Sequence, residues 1–426
     1  MAVSTPKTYR NQVMYSVFVR NHTQEGTFQA LRADLSRIRS LGVDIIWLMP
    51  IHPIGEKARK GTLGSPYAIR DYRSVNPEYG TLQDLRELVA HIHQLGMKCI
   101  IDVVYNHTSP DSVLAHEHPE WFYRKSDGSF GNHVGDWTDI IDLDYTNREL
   151  WQYQINTLKQ WAQIVDGFRC DVAPLVPMEF WAEARQAVEP IRPGCIWLSE
   201  SIEPGFITYL KSQNLIAHTD SEVFDVFDIA YDYDIFGIFK SALEGKCPLS
   251  DYAAAITAQE ALYQDQYVKL RYLENHDQDR AAAIIPYERK LINWTAFCYF
   301  QKGMTLLYAG QEAAQSHRPD LFEKDLIRWD IGKDLSLLLA KLSHIKKDPV
   351  FTDSRYSVTA LPGDVLLAVH ERSGEKLVGV FCMGDQEQKV QIPAADGCYK
   401  DLISGQCVTV SDGCLRTAGM PLIIKP

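Results

Sequence analysis

Short apolar runs alternate with helical segments along roughly the first 340 residues, and this alternation restricts the fold more than any other feature of the sequence. Each apolar run has the length of a buried β-strand, and the chain between runs is long enough for a helical crossover. Such crossovers make neighbouring strands parallel. The expected strands are Met14–Val19, Val43–Met49, Lys98–Val104, Asp166–Cys170, Cys195–Ser199, Val223–Phe227, Val268–Leu273 and Thr305–Tyr308. Eight strands with intervening helices predict an α/β protein built on a (β/α)8 TIM barrel.

Two stretches depart from the alternation. Residues 108–144, after the third strand, are polar and aromatic, and a loop of that length is typical of a functional segment or a small subdomain. From about Val350, short β-rich runs separated by Gly-Asp and Ser-Gly turns indicate a small antiparallel β domain. The predicted organisation is a barrel formed by residues 1–107 and 145–348, an inserted loop domain at 108–144, and a C-terminal β-sandwich domain at 349–426.

Charge, hydropathy and cysteine content limit the classes of partner and the compartment. The net charge of -12 argues against nucleic acid as the main partner and is compatible with a neutral ligand. No segment approaches about eighteen apolar residues and residues 1–12 are polar, so neither a membrane span nor a signal peptide is expected. The nine cysteines are scattered and odd in number, which favours free thiols over a disulfide framework, and hence a cytoplasmic protein. The oligomeric state stays open.

Carboxylates follow three of the expected strands, at the end of a barrel where functional groups gather. Asp171 follows the fourth strand, Glu200 the fifth and Asp277 the seventh. Arg169 lies two residues before Asp171, so the alternation of side chains along a strand places both on one face. The guanidinium is expected to lower the pKa of Asp171 and keep it ionised. One acid at a strand end could be a simple salt bridge, but three acids at one rim favour a catalytic centre.

Motifs at four strand ends resemble the signature regions of the α-amylase superfamily of glycoside hydrolases. The resemblance extends in a consistent order from about Val13 to Gln311. The strand-end motifs are Asp102–His107, Gly167–Asp171, Glu200 and Asn275–Asp277, and further similar motifs are Trp47–Pro50, Tyr67 with Asp71 and Tyr72, Asn76–Thr81 and Ile141–Asp144.

The resemblance implies a role for each candidate residue. Asp171 would be the nucleophile, Glu200 the general acid/base, and Asp277 would stabilise the transition state through the hydroxyl groups of the substrate. The implied substrate-binding residues are Tyr67, stacked on the sugar at the cleavage point, His107 and His276, which would hydrogen-bond it, and Arg169, beside the nucleophile. A retaining glycosidase needs its nucleophile and acid about 5 Å apart, and its acid must have a raised pKa.

The chain departs from the family pattern where many α-amylases hold calcium. Those relatives carry Lys-His three and four residues after the nucleophile, where this chain has Pro174 and Leu175. Asn106 is the single matching ligand, and one ligand does not make a hard-cation site, so no metal or other cofactor is expected. The change also removes a sugar contact on the leaving-group side. Asp102 is expected to hold its loop, and Val172 is shared with some α-1,6-specific relatives.

The sequence therefore predicts a retaining glycoside hydrolase that acts on α-glucosidic bonds, with α-1,4 bonds in maltodextrins or related α-gluco-oligosaccharides favoured. An α-1,6-glucosidase or an α-glucan transglycosylase is the alternative, because hydrolysis and transfer share one covalent intermediate. A non-catalytic carbohydrate-binding homologue is a further alternative, since fold does not fix function. Such a homologue would be expected to lose at least one of the three acids. Endo or exo action stays open.

Overall fold

Eight parallel strands close into a barrel in the computed structural model, which describes residues 5–134, 137–331, 333–384 and 386–426. Each strand pairs with its neighbours in chain order, and the last pairs with the first. The strands are Val13–Val17, Ile45–Leu48, Lys98–Val103, Gly167–Cys170, Ile196–Ser199, Ile229–Tyr231, Lys269–Arg271 and Met304–Tyr308. The predicted TIM barrel is confirmed, and its strands are buried apart from the first residue of the third, Lys98, as apolar runs require.

The sixth barrel strand is the one that the sequence placed wrongly. The apolar run at Val223–Phe227 was expected to form it, but Val223 ends a short helix, Asp220–Val223, and the strand follows at Ile229–Tyr231. Thr219 and Glu222 form a capping box that starts this helix. Val223 and Phe227 are buried by packing outside the sheet. A short apolar run cannot by itself distinguish a strand from a buried helix end.

Helices cover the outside of the barrel. The longer ones are Phe28–Ser40, Leu82–Gln94, Arg148–Ala162, Met178–Val188, Pro204–Ser212, Phe236–Leu243, Leu249–Leu262, Glu288–Phe300 and Ser336–Lys346, and the short ones are Val19–His22, Val113–Glu117, Asp220–Val223 and Ala281–Ile284. Thr27 caps the first long helix by accepting a hydrogen bond from the Ala30 amide, and Thr81 caps the second with a capping box to Asp84. Within the described ranges, no helix has the length and apolar character that a membrane span requires.

The segment inserted after the third strand leaves and re-enters the barrel at one place. Its first residues, His107–Thr108, pair antiparallel with Ile141–Asp142 near its end. This short ladder holds the two ends of the insertion together at the carboxyl end of the third strand. The insertion therefore stands over the same barrel end as the strand-end carboxylates.

The C-terminal region forms two antiparallel four-stranded sheets, as predicted. One sheet contains Arg355–Leu361, Val365–Arg372, Glu375–Cys382 and Leu422–Ile424, and the other Gln388–Gln391, Gly397–Lys400, Cys407–Ser411 and Cys414–Thr417. The sheets share one apolar core, to which Val365 and Val380 contribute from the first and Val390 and Leu415 from the second.

One cysteine pair corrects the expectation of free thiols. Cys398 and Cys407 form a disulfide between neighbouring strands of the second sheet. The other seven cysteines are free, and Cys99, Cys170 and Cys195 are buried in or beside barrel strands. One local bridge is not a disulfide framework, so the expectation that the chain lacks such a framework is unchanged.

Candidate active site

The register of the fourth and fifth barrel strands places Asp171 and Glu200 side by side. Cys170 is the partner of Ser199 across these strands, and each carboxylate residue comes next in its chain. The Asp171 amide donates to the Val103 carbonyl over 2.9 Å, and the Glu200 amide to the Cys170 carbonyl over 3.0 Å. These bonds continue the parallel ladder by one residue. Because paired strands lie about 4.8 Å apart, the two side chains start from neighbouring points.

Arg169 lies beneath both acids and contacts three carboxyl groups. Its Nη1 donates to Asp171 Oδ1 over 2.8 Å and to Asp102 Oδ1 over 2.9 Å, and its Nη2 lies 2.7 Å from Glu200 Oε1. The guanidinium is fully buried. The predicted placement of Arg169 and Asp171 on one face is confirmed. One cation thus fixes the positions of both candidate catalytic carboxyls.

Burial separates the proton affinities of the two acids. It raises the pKa of Asp171 to about 6, against the opposing charge of Arg169. The expectation that Arg169 would hold this pKa below its ordinary value is therefore wrong, because desolvation outweighs the ion pair. Burial raises the pKa of Glu200 further, to about 8, and the neighbouring charge of Asp171 adds to the rise. At pH 7 Asp171 is mostly ionised and Glu200 mostly protonated, which are the states of a nucleophile and an acid.

Val172 follows Asp171 in an unusual backbone conformation. Its φ of 35° lies in the left-handed region, where a β-branched residue is strained. The turn directs the Val172 amide at Glu200, to which it donates over 2.8 Å at Oε2. The strained residue therefore helps to orient the second acid.

Tyr67, His276 and Asp277 form a linked group on the other side of the acids. Tyr67 Oη lies 2.7 Å from His276 Nε2 and 3.2 Å from Asp102 Oδ2, and the Tyr67 and His276 rings stack at 14° with centroids 5.3 Å apart. His276 Nε2 lies 3.0 Å from Asp277 Oδ2. Partial desolvation by the cavity walls would raise the pKa of Asp277, but His276 lowers it to about 2. Asp102 is fully buried and contacts Arg169 and Tyr67, while its expected role in holding its loop stays a prediction.

His107 lies on the remaining wall of the site, at the base of the insertion. Burial lowers its pKa to about 4, so its imidazole is neutral at pH 7 and has one donor and one acceptor nitrogen. Its ring centroid lies 5.7 Å from that of Trp137. A neutral imidazole of this kind can hydrogen-bond a hydroxyl group.

A cavity of about 730 Å³ collects the candidate residues. Six of the seven predicted site residues line it, and they are Tyr67, His107, Asp171, Glu200, His276 and Asp277. Arg169 lies behind them. Sequence reasoning did not find the outer lining, which includes Lys60, Trp137, Asp139 and the segment His317–Phe322. The aromatic character of the insertion was a signal for Trp137, but the other residues lie in loops without periodic pattern.

The residues near Asn106 do not fit the calcium site of many α-amylases. Asn106 and Asp142 line one smaller cavity, in which Leu175 stands where relatives have histidine. Asp142 Oδ2 accepts from the amide and Nδ1 of His133, both over 2.7 Å, and its buried Oδ1 has no partner among the described residues. Calcium takes six to eight oxygens. In the described parts of the chain, no group of three or more histidine, cysteine or acidic side chains is arranged for a metal. That the protein binds no calcium stays a prediction.

Comparisons with known proteins cover nearly the whole chain. The family model for the alpha amylase catalytic domain matches residues 12–358, and the model for the bacterial alpha amylase C-terminal domain matches residues 357–424. The crystal structure of an α-amylase from Lactobacillus plantarum is 46% identical, covers 99% of this chain and 100% of its own, and has a TM-score of 0.97.

Two further relatives are more distant. The crystal structure of a noncanonic maltogenic α-amylase from Thermotoga neapolitana is 33% identical, covers 98% of this chain and 99% of its own, and has a TM-score of 0.87. The α-amylase MalA of Haloarcula japonica is 27% identical over 424 residues, which cover 94% of this chain and 59% of that protein. The chain thus spans about three fifths of the length of this curated relative.

Proposed function

The chain belongs to the α-amylase family, and from this premise we propose that it is a retaining glycoside hydrolase that cleaves α-1,4-glucosidic bonds in short maltodextrins. The observation that carries the proposal is the pairing of Asp171 and Glu200 over one guanidinium, where burial raises the pKa of Glu200 further than that of Asp171. A double displacement requires one ionised and one protonated carboxyl close together.

In the proposed reaction, the ionised Asp171 attacks the anomeric carbon while Glu200 gives its proton to the departing glycosidic oxygen. The bond to the leaving sugar breaks as the bond to Asp171 forms. Glu200, now ionised, takes a proton from a water molecule, which attacks the same carbon and releases Asp171. Both acids return to their starting states, and the product has the anomeric configuration of the substrate.

The other cavity residues support recognition of a glucosyl unit. Tyr67, His107, His276 and Asp277 surround the space beside the nucleophile with an aromatic face, imidazole and phenol groups that can form hydrogen bonds, and a carboxylate. Hydroxyl-rich ligands need donors and acceptors of this kind close together. The two solved relatives are named as α-amylases, one of them maltogenic, which favours α-1,4-linked glucans as the substrate class.

A second candidate is transfer of the glucosyl unit to another sugar, or cleavage of α-1,6 bonds. The observation that favours it is the apolar surface next to Glu200, where Val172, Leu175 and Phe206 pack against buried Ile202 and Leu210. Such a surface would bind the apolar face of an acceptor sugar more favourably than it binds water, and so would favour transfer. The ratio of transfer to hydrolysis at rising maltotriose concentration distinguishes the two reactions.

We also propose that the enzyme works in the cytoplasm. The seven free cysteines favour a reducing compartment, in which stable disulfides are rare. Alkylation of thiols at the moment of cell lysis tests this point. The seven free thiols should then be alkylated, and Cys398–Cys407 should be the single disulfide found.

A substrate panel tests the proposed activity. Maltose, maltotriose, isomaltose, panose, sucrose, trehalose and starch would each be incubated with the enzyme, and proton NMR would follow the first product. Release of the α-anomer from maltotriose, with isomaltose, sucrose and trehalose left intact, is the expected result. Release of the β-anomer would contradict the double displacement.

A further inference from the structure

We propose that the enzyme acts from the non-reducing chain end, because three joined loops close the side of the cavity that receives the glycon. This inference rests on the proposed function and adds the direction and position of attack. The loops follow the second, third and eighth barrel strands, and Lys60 and Asp139 connect two of them at the cavity. We call this set of loops the glycon wall: residues 59–65, 137–140 and 317–325.

The barrel order places the glycon wall opposite the acid. In the closed barrel the first strand neighbours the second and the eighth, and the fifth strand, which carries Glu200, lies across from it. Loops after strands two, three and eight therefore gather around the first strand. Most of the residues that line the cavity come from these three loops.

The wall is anchored from behind by two buried residues that follow the first strand. Arg20 Nη1 donates to the Gly64 carbonyl over 3.3 Å and to the Leu321 carbonyl over 3.2 Å, while its Nη2 pairs with Glu78 over 2.9 Å. Asn21 donates to the Asp320 carbonyl over 2.9 Å. Because Arg20 and Asn21 are both about 1% exposed, these bonds are shielded from water.

Direct contacts also join the second and eighth loops in front of this anchor. The Leu63 amide donates to the Phe322 carbonyl over 3.0 Å, and the Thr62 amide to Glu323 Oε1 over 2.7 Å. Gly61 allows the close approach, since a β-carbon there would lie 2.6 Å from Phe322 Cβ. The two loops thus form one surface.

The Lys60–Asp139 ion pair extends this surface to the insertion. Lys60 Nζ lies 2.9 Å from Asp139 Oδ1, and both residues line the cavity. The Asp139 side chain is 6% exposed and that of Lys60 is 38% exposed. A carboxylate so deeply buried needs its cation, so the pair holds the insertion against the second loop. Contacts therefore continue from the insertion through the second loop to the eighth.

The chemistry of the acid fixes which part of the substrate meets the wall. Glu200 protonates the oxygen of the departing sugar, so the leaving chain extends on the side of the fourth and fifth strands. The glucosyl unit that remains lies against Tyr67, His107 and His276, and its own non-reducing end points toward the glycon wall. A long chain cannot continue through a closed wall, so productive binding requires a free chain end within the cavity.

Maltoheptaose labelled with a fluorophore at its reducing end tests the direction of attack. Exo action predicts that the first labelled product is shortened by one fixed step, with shorter labelled products appearing later in sequence. A second substrate, a p-nitrophenyl maltoheptaoside blocked at its non-reducing end, should react at least about twentyfold more slowly than the free form. Labelled products of many lengths from the start, or equal rates on the blocked and free forms, would overturn the inference and leave the hydrolase assignment intact. Failure to cleave either form would overturn the proposed function itself.

Two variants test the bridge that the Lys60–Asp139 ion pair forms between the loops, with a neighbouring lysine as control. Lys60→Ala and Asp139→Asn should each reduce the discrimination between free and blocked substrate by at least about fivefold. Lys57→Ala, on the same loop but exposed and outside the cavity lining, should leave it unchanged. Circular dichroism would verify folding of each variant. Full discrimination in both bridge variants would overturn the assignment of this pair as the determinant.

Discussion

At the scale of single residues, one buried guanidinium organises the candidate chemistry. Arg169 touches Asp102, Asp171 and Glu200, and burial rather than Arg169 sets the order in which the two candidate catalytic acids titrate. Asp171 and Glu200 follow neighbouring strands and share this one cation, so contact with Arg169 alone does not distinguish them. Glu200 holds its proton more tightly, because the like charge of Asp171 adds to the effect of its burial.

Asp171→Asn should abolish turnover while the protein stays folded. Asparagine keeps the volume and can still accept a hydrogen bond from Arg169, which also keeps its contacts with Asp102 and Glu200. We expect a loss of maltotriose hydrolysis on the order of 10⁴-fold or more. The measurement is the turnover rate, with near-ultraviolet circular dichroism as the folding control. Appreciable activity in a sample shown by mass spectrometry to be free of deamidated or wild-type protein would contradict the nucleophile assignment.

The pH dependence of kcat/KM should be bell-shaped, with limbs near pH 6 and pH 8. Activity rises as Asp171 loses its proton, since its pKa is about 6, and falls as Glu200 loses its proton, since its pKa is about 8.

In Glu200→Gln, hydrolysis of maltotriose should fall about 10²- to 10⁴-fold, while hydrolysis of an activated aryl glucoside should fall far less. The alkaline limb should also disappear on the aryl glucoside, because glutamine does not titrate. Equal losses on both substrates, or a retained alkaline limb, would indicate that Glu200 is not the acid.

At the scale of elements, the sequence specified the parts with regular patterns. Apolar runs mark the strands, and caps such as Thr81 mark where helices begin. The carboxylates could be identified because they follow the apolar runs. The sixth strand was misplaced, since the apolar run at Val223–Phe227 is buried outside the sheet, at and after the end of a short helix. Nothing in the sequence indicates the left-handed backbone of Val172, which depends on tertiary contacts. The glycon wall was also missed, because it is assembled from loops distant in sequence.

The insertion should be independent of calcium. Asn106 and Asp142 supply too few oxygens for a hard cation, and Asp142 is already bound by His133. Prolonged dialysis against EDTA should therefore leave both the rate of maltotriose hydrolysis and the melting temperature unchanged, since a ligand stabilises the native state only when it is bound. A calcium-dependent α-amylase treated in parallel is the control. A fall in melting temperature that calcium reverses would show that ligands outside this pair complete a site.

At the scale of the whole molecule, the barrel provides two unequal sides around one pair of acids. The side of the first strand carries the glycon wall, anchored through Arg20 and bridged by Lys60 and Asp139. The side of the fourth and fifth strands carries an apolar surface with Val172 and Phe206. Binding energy for the substrate should therefore concentrate on the glucosyl unit at the cleavage point, and little should come from distant units of a long chain.

The enzyme should accordingly prefer short substrates to starch. A polymer offers few chain ends for its mass, and without Lys-His after the nucleophile its leaving chain gains few hydrogen bonds beyond the cleavage point. We expect kcat/KM per glucosidic bond to be at least roughly tenfold higher on maltotriose than on soluble starch, which is about 1.4 kcal/mol of transition-state binding. Partly hydrolysed starch is the matched control, because it has the same kinds of bond and more chain ends, and its rate should lie between the two. If starch were hydrolysed faster than maltotriose, binding along the chain would have to extend past the glycon wall, and the closed cavity could not be the productive site for long substrates.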